Sequence, residues 1–91
     1  MIAGKIKLPD FDQEKVNIKE YLVLFEMTAD INGITTNGTK KSFLLSFIGI
    51  ENYAVVCKLA APNKPSEQTL QEIIDLLKNH FITVPTYHRA L

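Results

Sequence analysis

The sequence predicts an all-α domain, a compact bundle of four to five short helices that follows an extended N-terminal arm. Apolar residues recur with spacings of three and four in four separate segments, which is the period of an amphipathic helix. Turns that contain glycine or proline separate these segments, so short connections join the helices of the bundle. The chain has 91 residues, 46% of them hydrophobic, which is enough for one modest core. We therefore expect one domain, with the arm at residues 1–11 and the helical lobe at residues 12–85.

The arm is predicted because the first eleven residues show no helical period. Gly4 and Pro9 interrupt a helix, and the apolar residues Ile6, Leu8 and Phe11 nearly alternate along the chain. We interpret this segment as extended backbone that leads into the first helix.

The first helix is predicted to begin near Val16 and to end at Asn32-Gly33. Its apolar positions fall at i, i+3, i+4, i+7 and i+11, which is one face of a helix with 3.6 residues per turn. This inward stripe consists of Ile18, Tyr21, Leu22, Phe25 and Ala29.

The second and third helices are predicted at residues 39–48 and 51–61, and Gly49 ends or kinks the chain between them. The second helix should turn inward Phe43, Leu44, Phe47 and Ile48. The third helix should bury Tyr53, Ala54, Cys57 and Ala61.

The fourth helix has the clearest amphipathic pattern in the chain. No helix can cross the Pro-Asn-Lys-Pro segment before it, so we expect Ser66 to cap this helix and Pro85 to end it. Its inward face comprises Leu70, Ile73, Ile74, Leu77 and Phe81. The four helices together predict a core of Tyr21, Leu22, Phe25, Phe43, Phe47, Tyr53, Cys57, Ile73, Ile74, Leu77 and Phe81.

Composition argues against several classes of function. Ten basic residues balance ten acidic ones, whereas a domain that binds nucleic acid by itself carries a basic excess. Cys57 is the only cysteine, and His80 and His88 belong to no catalytic or metal-binding pattern, so we expect no catalytic residue, metal site or cofactor. The apolar runs are shorter than the roughly 18 residues of a membrane span, and no signal-peptide pattern opens the chain. We expect a cytoplasmic domain without membrane contact.

The first helix carries apolar residues on the face that should be polar. Val23 and Met27 lie on the side away from the inward stripe, among charged residues, so they should be exposed. Single apolar residues are common on protein surfaces, and chance is one interpretation. The other interpretation is that Lys19, Val23 and Met27, at i, i+4 and i+8, form a narrow contact for another helix. Lys40-Lys41 is the only adjacent basic pair, and it is either solvated or part of a partner contact.

A series of short motifs runs along nearly the whole chain, from about residue 8 to residue 89. The motifs are Leu-Pro-Asp-Phe-Asp at 8–12, Asn-Ile-Lys-Glu-Tyr-Leu at 17–22, Phe-Glu at 25–26, Asn-Gly-Ile at 32–34, Lys-Lys-Ser-Phe-Leu-Leu-Ser-Phe-Ile-Gly at 40–49, Tyr53, Cys-Lys-Leu at 57–59, Ala-Pro-Asn-Lys-Pro-Ser at 61–66, Leu-Leu-Lys-Asn-His-Phe at 76–81 and Pro85. In order and spacing this series resembles the N-terminal lobe of Gag capsid proteins from Ty3/gypsy-type long-terminal-repeat retrotransposons.

The resemblance implies a retroviral capsid-like fold and a structural function. The parent protein would self-assemble into a virus-like shell that packages retroelement RNA, and this lobe would make the contacts of rings of five or six copies. RNA would be held by regions outside this fragment, and residues 86–91 would begin the linker to a C-terminal lobe. The assembly contact would involve Lys19, Glu20, Val23, Met27, Lys40 and Lys41.

Two other interpretations stay open from the sequence alone. A Gag lobe adopted by a host can bind short peptides in a hydrophobic groove, which the segment at residues 6–11 would cover or complete. A SCAN-like dimerisation domain of a transcription factor is related in fold. An enzyme is a third class, but the sequence offers no catalytic constellation for it.

Overall fold

The computed structural model describes residues 6–83, and in this part of the chain every regular element is helical. The elements are α1 (Ile18–Ile31), α2 (Asn37–Phe47), α3 (Ile50–Ala60), a 3-10 turn (Pro65–Glu67) and α4 (Leu70–Thr83). The predicted all-α class is therefore confirmed. The predicted linker at residues 86–91 and the stop at Pro85 lie outside the described residues, as does the beginning of the arm at residues 1–5.

Side chains that accept hydrogen bonds from the backbone fix where α1 and α2 begin. The Asn17 side chain accepts from the Glu20 N–H at 2.8 Å, and the Thr36 hydroxyl accepts from the Thr39 N–H at 3.3 Å. Each bond satisfies one of the N–H groups that a helix leaves without an internal partner in its first turn. The prediction that α1 begins near Val16 and α2 at Thr39 was thus about two residues off in each case.

The start of α4 corrects the prediction that Ser66 caps this helix. Ser66 lies in the 3-10 turn, and the cap is Thr69 instead. The Thr69 hydroxyl accepts from the Glu72 N–H at 3.1 Å, and the Glu72 carboxylate accepts from the Thr69 N–H at 2.8 Å. This reciprocal pair is a capping box, which the sequence analysis did not predict, and it lies three residues beyond the predicted cap.

The core lies where α4 packs against each of the other three helices. The arm completes it, because Leu8 and Phe11 are as buried as the helical core residues. The buried cluster consists of Leu8, Phe11, Ile18, Tyr21, Leu22, Phe25, Ala29, Leu44, Ile48, Val56, Leu70, Ile73 and Leu77.

The inward face of α3 differs from the prediction, which placed Tyr53 and Cys57 in the core. Tyr53 is exposed and Cys57 is half-buried, whereas Val56 and Ala60 are buried. Ala54 and Ala61, also predicted to be buried, are exposed. The reason is the polar residue Asn52, whose side chain faces the domain and donates hydrogen bonds to backbone carbonyls. Positions 52, 56 and 60 share one helix face, so Asn52 sets the orientation of α3.

Four aromatic and aliphatic residues predicted for the core lie at its border. Phe43, Phe47, Ile74 and Phe81 are half-buried and pack against the buried cluster. The Phe43 ring stacks on that of Phe25 with centroids 6.3 Å apart, and the Phe81 ring meets that of Phe11 edge-on at 4.8 Å. Such ring pairs stabilise a fold beyond the area they bury. These four residues cover the edge of the core and remain partly exposed to solvent.

We predict that Val56→Ala lowers the free energy of unfolding by about 2 kcal/mol, because it removes two fully buried methyl groups and leaves a cavity. Val55→Ala is the matched control. It makes the same change at a half-buried neighbour and should cost less than about 1 kcal/mol. Urea denaturation of both variants measures the difference, and an equal or reversed order would contradict this orientation of α3.

Candidate interaction surfaces

The arm is bound to the helices through its backbone. The side-chain amide of Asn32, at the end of α1, accepts from the Ile6 N–H at 3.0 Å and donates to the Ile6 carbonyl at 2.8 Å. The same amide donates to the Thr28 carbonyl at 2.9 Å, so its orientation is fixed. A buried asparagine thus pairs with one arm residue as a neighbouring β-strand would.

Two further side chains bind the arm at its other end. The Tyr21 hydroxyl donates to the Pro9 carbonyl at 2.6 Å, and the Asn52 amide donates to the Phe11 carbonyl at 2.7 Å. Burial, with a smaller contribution from the nearby Asp10 carboxylate, raises the pKa of Tyr21 and keeps the hydroxyl protonated as a donor. The apolar surface of the helices beneath the arm is therefore covered by the arm's own residues Leu8 and Phe11.

The outer face of α1 carries a continuous row of exposed apolar side chains. Val23 and Met27, singled out by sequence, are 60% and 57% exposed. Leu24 and Ile31 extend the row and are 40% and 63% exposed. We call these four residues the α1 ridge. Sequence reasoning missed the last two, although their spacing from Met27 of three and four residues carries the signal.

The charged residues predicted to belong to this surface lie on two helices, α1 and α2. Lys19 and Glu20 lie exposed on α1 itself. Lys40 reaches α1 from α2, because its ammonium forms a 3.0 Å ion pair with the Glu26 carboxylate. A cleft of about 420 Å³, lined by Met27 and Lys40 among others, adjoins the ridge there.

Lys41 does not belong to this surface. Its ammonium donates to the carbonyls of Ser66 and Gln68 at 2.9 and 2.8 Å, on the flank of α2 that faces the 3-10 turn. Adjacent helical residues point about 100° apart, so one dipeptide serves two sides of α2. Lys41 and Lys40 therefore lie on different flanks of α2, and the place of Lys41 in an assembly contact stays a prediction.

Lys41 lines a second surface, an open groove between α2 and α3. Two adjoining cavities of about 510 and 310 Å³ share Leu45, Ser46 and Tyr53 as walls. Ile50, which is 80% exposed, lies at one end. We call this surface the α2–α3 groove; the residues that define it are Lys41, Leu45, Ser46, Ile50, Tyr53 and Pro65.

Two further features of residues 6–83 involve polar side chains. A hydrogen bond with the Cys57 side chain raises the pKa of the exposed Tyr53. An acidic cleft lies between the arm and the start of α3, but among residues 6–83 no group of three or more His, Cys, Asp or Glu side chains is arranged to hold a metal ion. In the same part of the chain, no helix has the length and hydropathy needed to cross a membrane.

No family model, curated protein or solved structure matches this chain. The α1 ridge and the α2–α3 groove are the candidate interaction surfaces in the described part of the chain.

The hydrogen bond from Tyr21 to the arm yields a prediction about stability. Tyr21→Phe removes the donor to the Pro9 carbonyl and should lower the free energy of unfolding by about 1–2 kcal/mol. Tyr53→Phe, which alters an exposed hydroxyl, is the matched control and should cost less. Chemical denaturation at neutral pH compares them, and equal losses would show that the Pro9 bond contributes nothing.

The pKa of Tyr21 predicts how stability depends on pH. An unfolded tyrosine ionises near pH 10, whereas burial raises the pKa of folded Tyr21, so only the unfolded chain releases this proton as pH rises past about 10. The stabilisation is complete below that pH and is lost above it. Denaturation between pH 8 and about 11 should therefore show a smaller alkaline loss in Tyr21→Phe than in the unchanged chain. Identical slopes would contradict this role for Tyr21.

Proposed function

We propose that this chain is the N-terminal lobe of a Gag-like capsid protein, a structural domain whose parent self-assembles into a shell that packages retroelement RNA. The α1 ridge carries this proposal. It is a row of four exposed apolar side chains on a helix whose opposite face is fully used by the core. The motif series along the chain supports the same function, since it resembles capsid N-terminal lobes.

The binding free energy that the ridge can contribute is suited to an assembly contact. Burying one of its side chains against a neighbour contributes roughly 1–3 kcal/mol, so a single contact between two copies is weak. In a closed ring each copy makes the contact twice, and the linked contacts act together. A shell built this way forms when the parent is concentrated, and the separate lobe stays monomeric.

Charges beside the ridge can set how neighbouring copies align. Lys19 and Glu20 are exposed next to the ridge and make no ion pair within residues 6–83. Opposite charges on a facing surface would favour one register, and like charges would oppose others. Lys40 is already neutralised by Glu26, so it would contribute contact area more than charge.

A peptide-binding lobe is the alternative function. The peptide would bind on the surface of the helices that residues 6–11 already cover. There Leu8 and Phe11 are buried, and three side chains bind the backbone of the arm. A foreign peptide would have to displace these contacts. This observation favours the capsid function over peptide binding on that surface.

We predict that Val23→Asp with Met27→Asp abolishes particles of the full-length parent, since two carboxylates cannot be buried at the contact without a large desolvation penalty. The matched control is Leu59→Asp with Ile82→Asp, which adds the same charge at two exposed apolar positions away from the ridge. Electron micrographs count particles, and circular dichroism confirms that each lobe remains helical.

Normal particles from the ridge variant would exclude the ridge as the assembly contact. Loss of particles from both variants would show that added charge alone blocks assembly, and the ridge would have no special role.

The isolated chain should be mainly monomeric at micromolar concentration and should bind RNA only weakly at physiological salt. The first follows from weak single contacts. The second follows from the balance of ten basic and ten acidic residues, which leaves no net charge to release counterions from phosphates. Light scattering against concentration and RNA titration at two salt concentrations measure both. A stable dimer would instead favour a SCAN-like dimerisation domain.

A further inference from the structure

We propose that the α1 ridge of one copy docks into the α2–α3 groove of a second copy, so that the contact is head-to-tail. This inference rests on the proposed self-assembly and names the surface that receives the ridge. A head-to-tail contact needs two different patches on each chain, and it closes into a ring when the rotation between copies allows it.

The two surfaces are separate, as such a contact requires. The ridge belongs to α1, and the cleft beside it is lined by Lys40 from one flank of α2. The groove lies along the flank that carries Lys41 and Leu45. In the described part of the chain no residue lines both surfaces, so one copy can offer its ridge and its groove at the same time.

The ridge and the groove also agree in length and in chemistry. The ridge runs from Val23 to Ile31, which is about 12 Å along a helix, and residues 38–46 of α2 extend equally far beside the groove. The groove walls present the apolar parts of Leu45 and Tyr53. A row of apolar side chains spaced by three and four can pack along such walls as one helix packs on another.

Charge complementarity points the same way. Among residues 6–83, Lys41 is the only charged residue that lines the groove, and its ammonium uses two of three N–H donors on backbone carbonyls. It is thus a fixed positive charge with one donor left and no carboxylate partner within residues 6–83. Glu20 and Asp30 are exposed carboxylates on α1, and neither forms an ion pair in that range. A carboxylate from α1 of a second copy would supply the partner that Lys41 lacks.

This arrangement gives the two adjacent lysines different positions in one contact. Lys40 stands beside the ridge, where Glu26 neutralises it. Lys41 stands in the groove, where the next copy would meet it. A ridge-to-ridge dimer, in contrast, would leave the groove and Lys41 without a partner.

Cross-linking between two cysteine variants of the full-length parent tests the inference. Every variant carries Cys57→Ser, one chain carries Met27→Cys and the other carries Leu45→Cys. The two chains are mixed before assembly and treated with a short bifunctional thiol reagent, and mass spectrometry identifies the joined peptides. Ile82→Cys replaces Leu45→Cys in the control mixture, since Ile82 is exposed but lies outside the groove.

We expect particles in which position 27 is joined to position 45 severalfold more often than to position 82. Particles joined mainly through two copies of position 27, or without the 27–45 link, would overturn this inference and leave the proposed assembly intact. If the unchanged parent forms no particles, the proposed function fails and this inference fails with it. If Leu45→Cys loses its helical spectrum, Ser46→Cys marks the same groove.

Discussion

The bonding of the arm to Asn52 and Ile48 is the constraint on which the rest of this structure depends. The Ile48 carbonyl, at the end of α2, accepts both from the Phe11 N–H at 3.0 Å and from the Asn52 amide at 2.9 Å. That amide also binds the Phe11 carbonyl. Between α2 and α3 stands Gly49, whose φ of 106° is accessible to glycine at little cost. The arm therefore fixes the angle between α2 and α3 at Gly49. This angle places Tyr53 in the wall of the groove.

The orientation of α1 is fixed in a similar way, and the ridge is a consequence. Its inner face contributes Tyr21 and Phe25 to the core, and Asn32 binds the arm. Two residues further along a helix is a rotation of about 200°, so Val23 and Met27 are carried to the opposite side. Because core and arm both hold the inner face, α1 cannot rotate to hide the ridge. Exposure of these side chains is imposed by the fold.

The sequence predicted the elements whose burial follows hydropathy, and it failed where a polar side chain faces inward. The apolar stripe of α1 and the face of α4 around Ile73 and Leu77 were predicted correctly, because the apolar residues there are buried, whereas the buried Thr28 of α1 was missed. In α3 the polar Asn52 belongs to the inward face, and no hydropathy pattern identifies an amide that binds backbone carbonyls across the fold. The groove was missed for the same reason, since Lys41 is placed by carbonyls distant in sequence.

The two lysines at the start of α2 make the two flanks of this helix electrostatically different, although the chain has no net charge. A positive charge near the start of a helix is opposed by the helix dipole, and both ammonium groups make compensating contacts. Lys40 obtains it from a carboxylate and becomes neutral as a pair, whereas Lys41 obtains it from carbonyl dipoles and remains a cation. On one flank of α2 the lysine is thereby neutralised, and the other flank holds a fixed positive charge. Surfaces that differ in this way are not self-complementary, which favours contacts between unlike patches over a symmetric dimer.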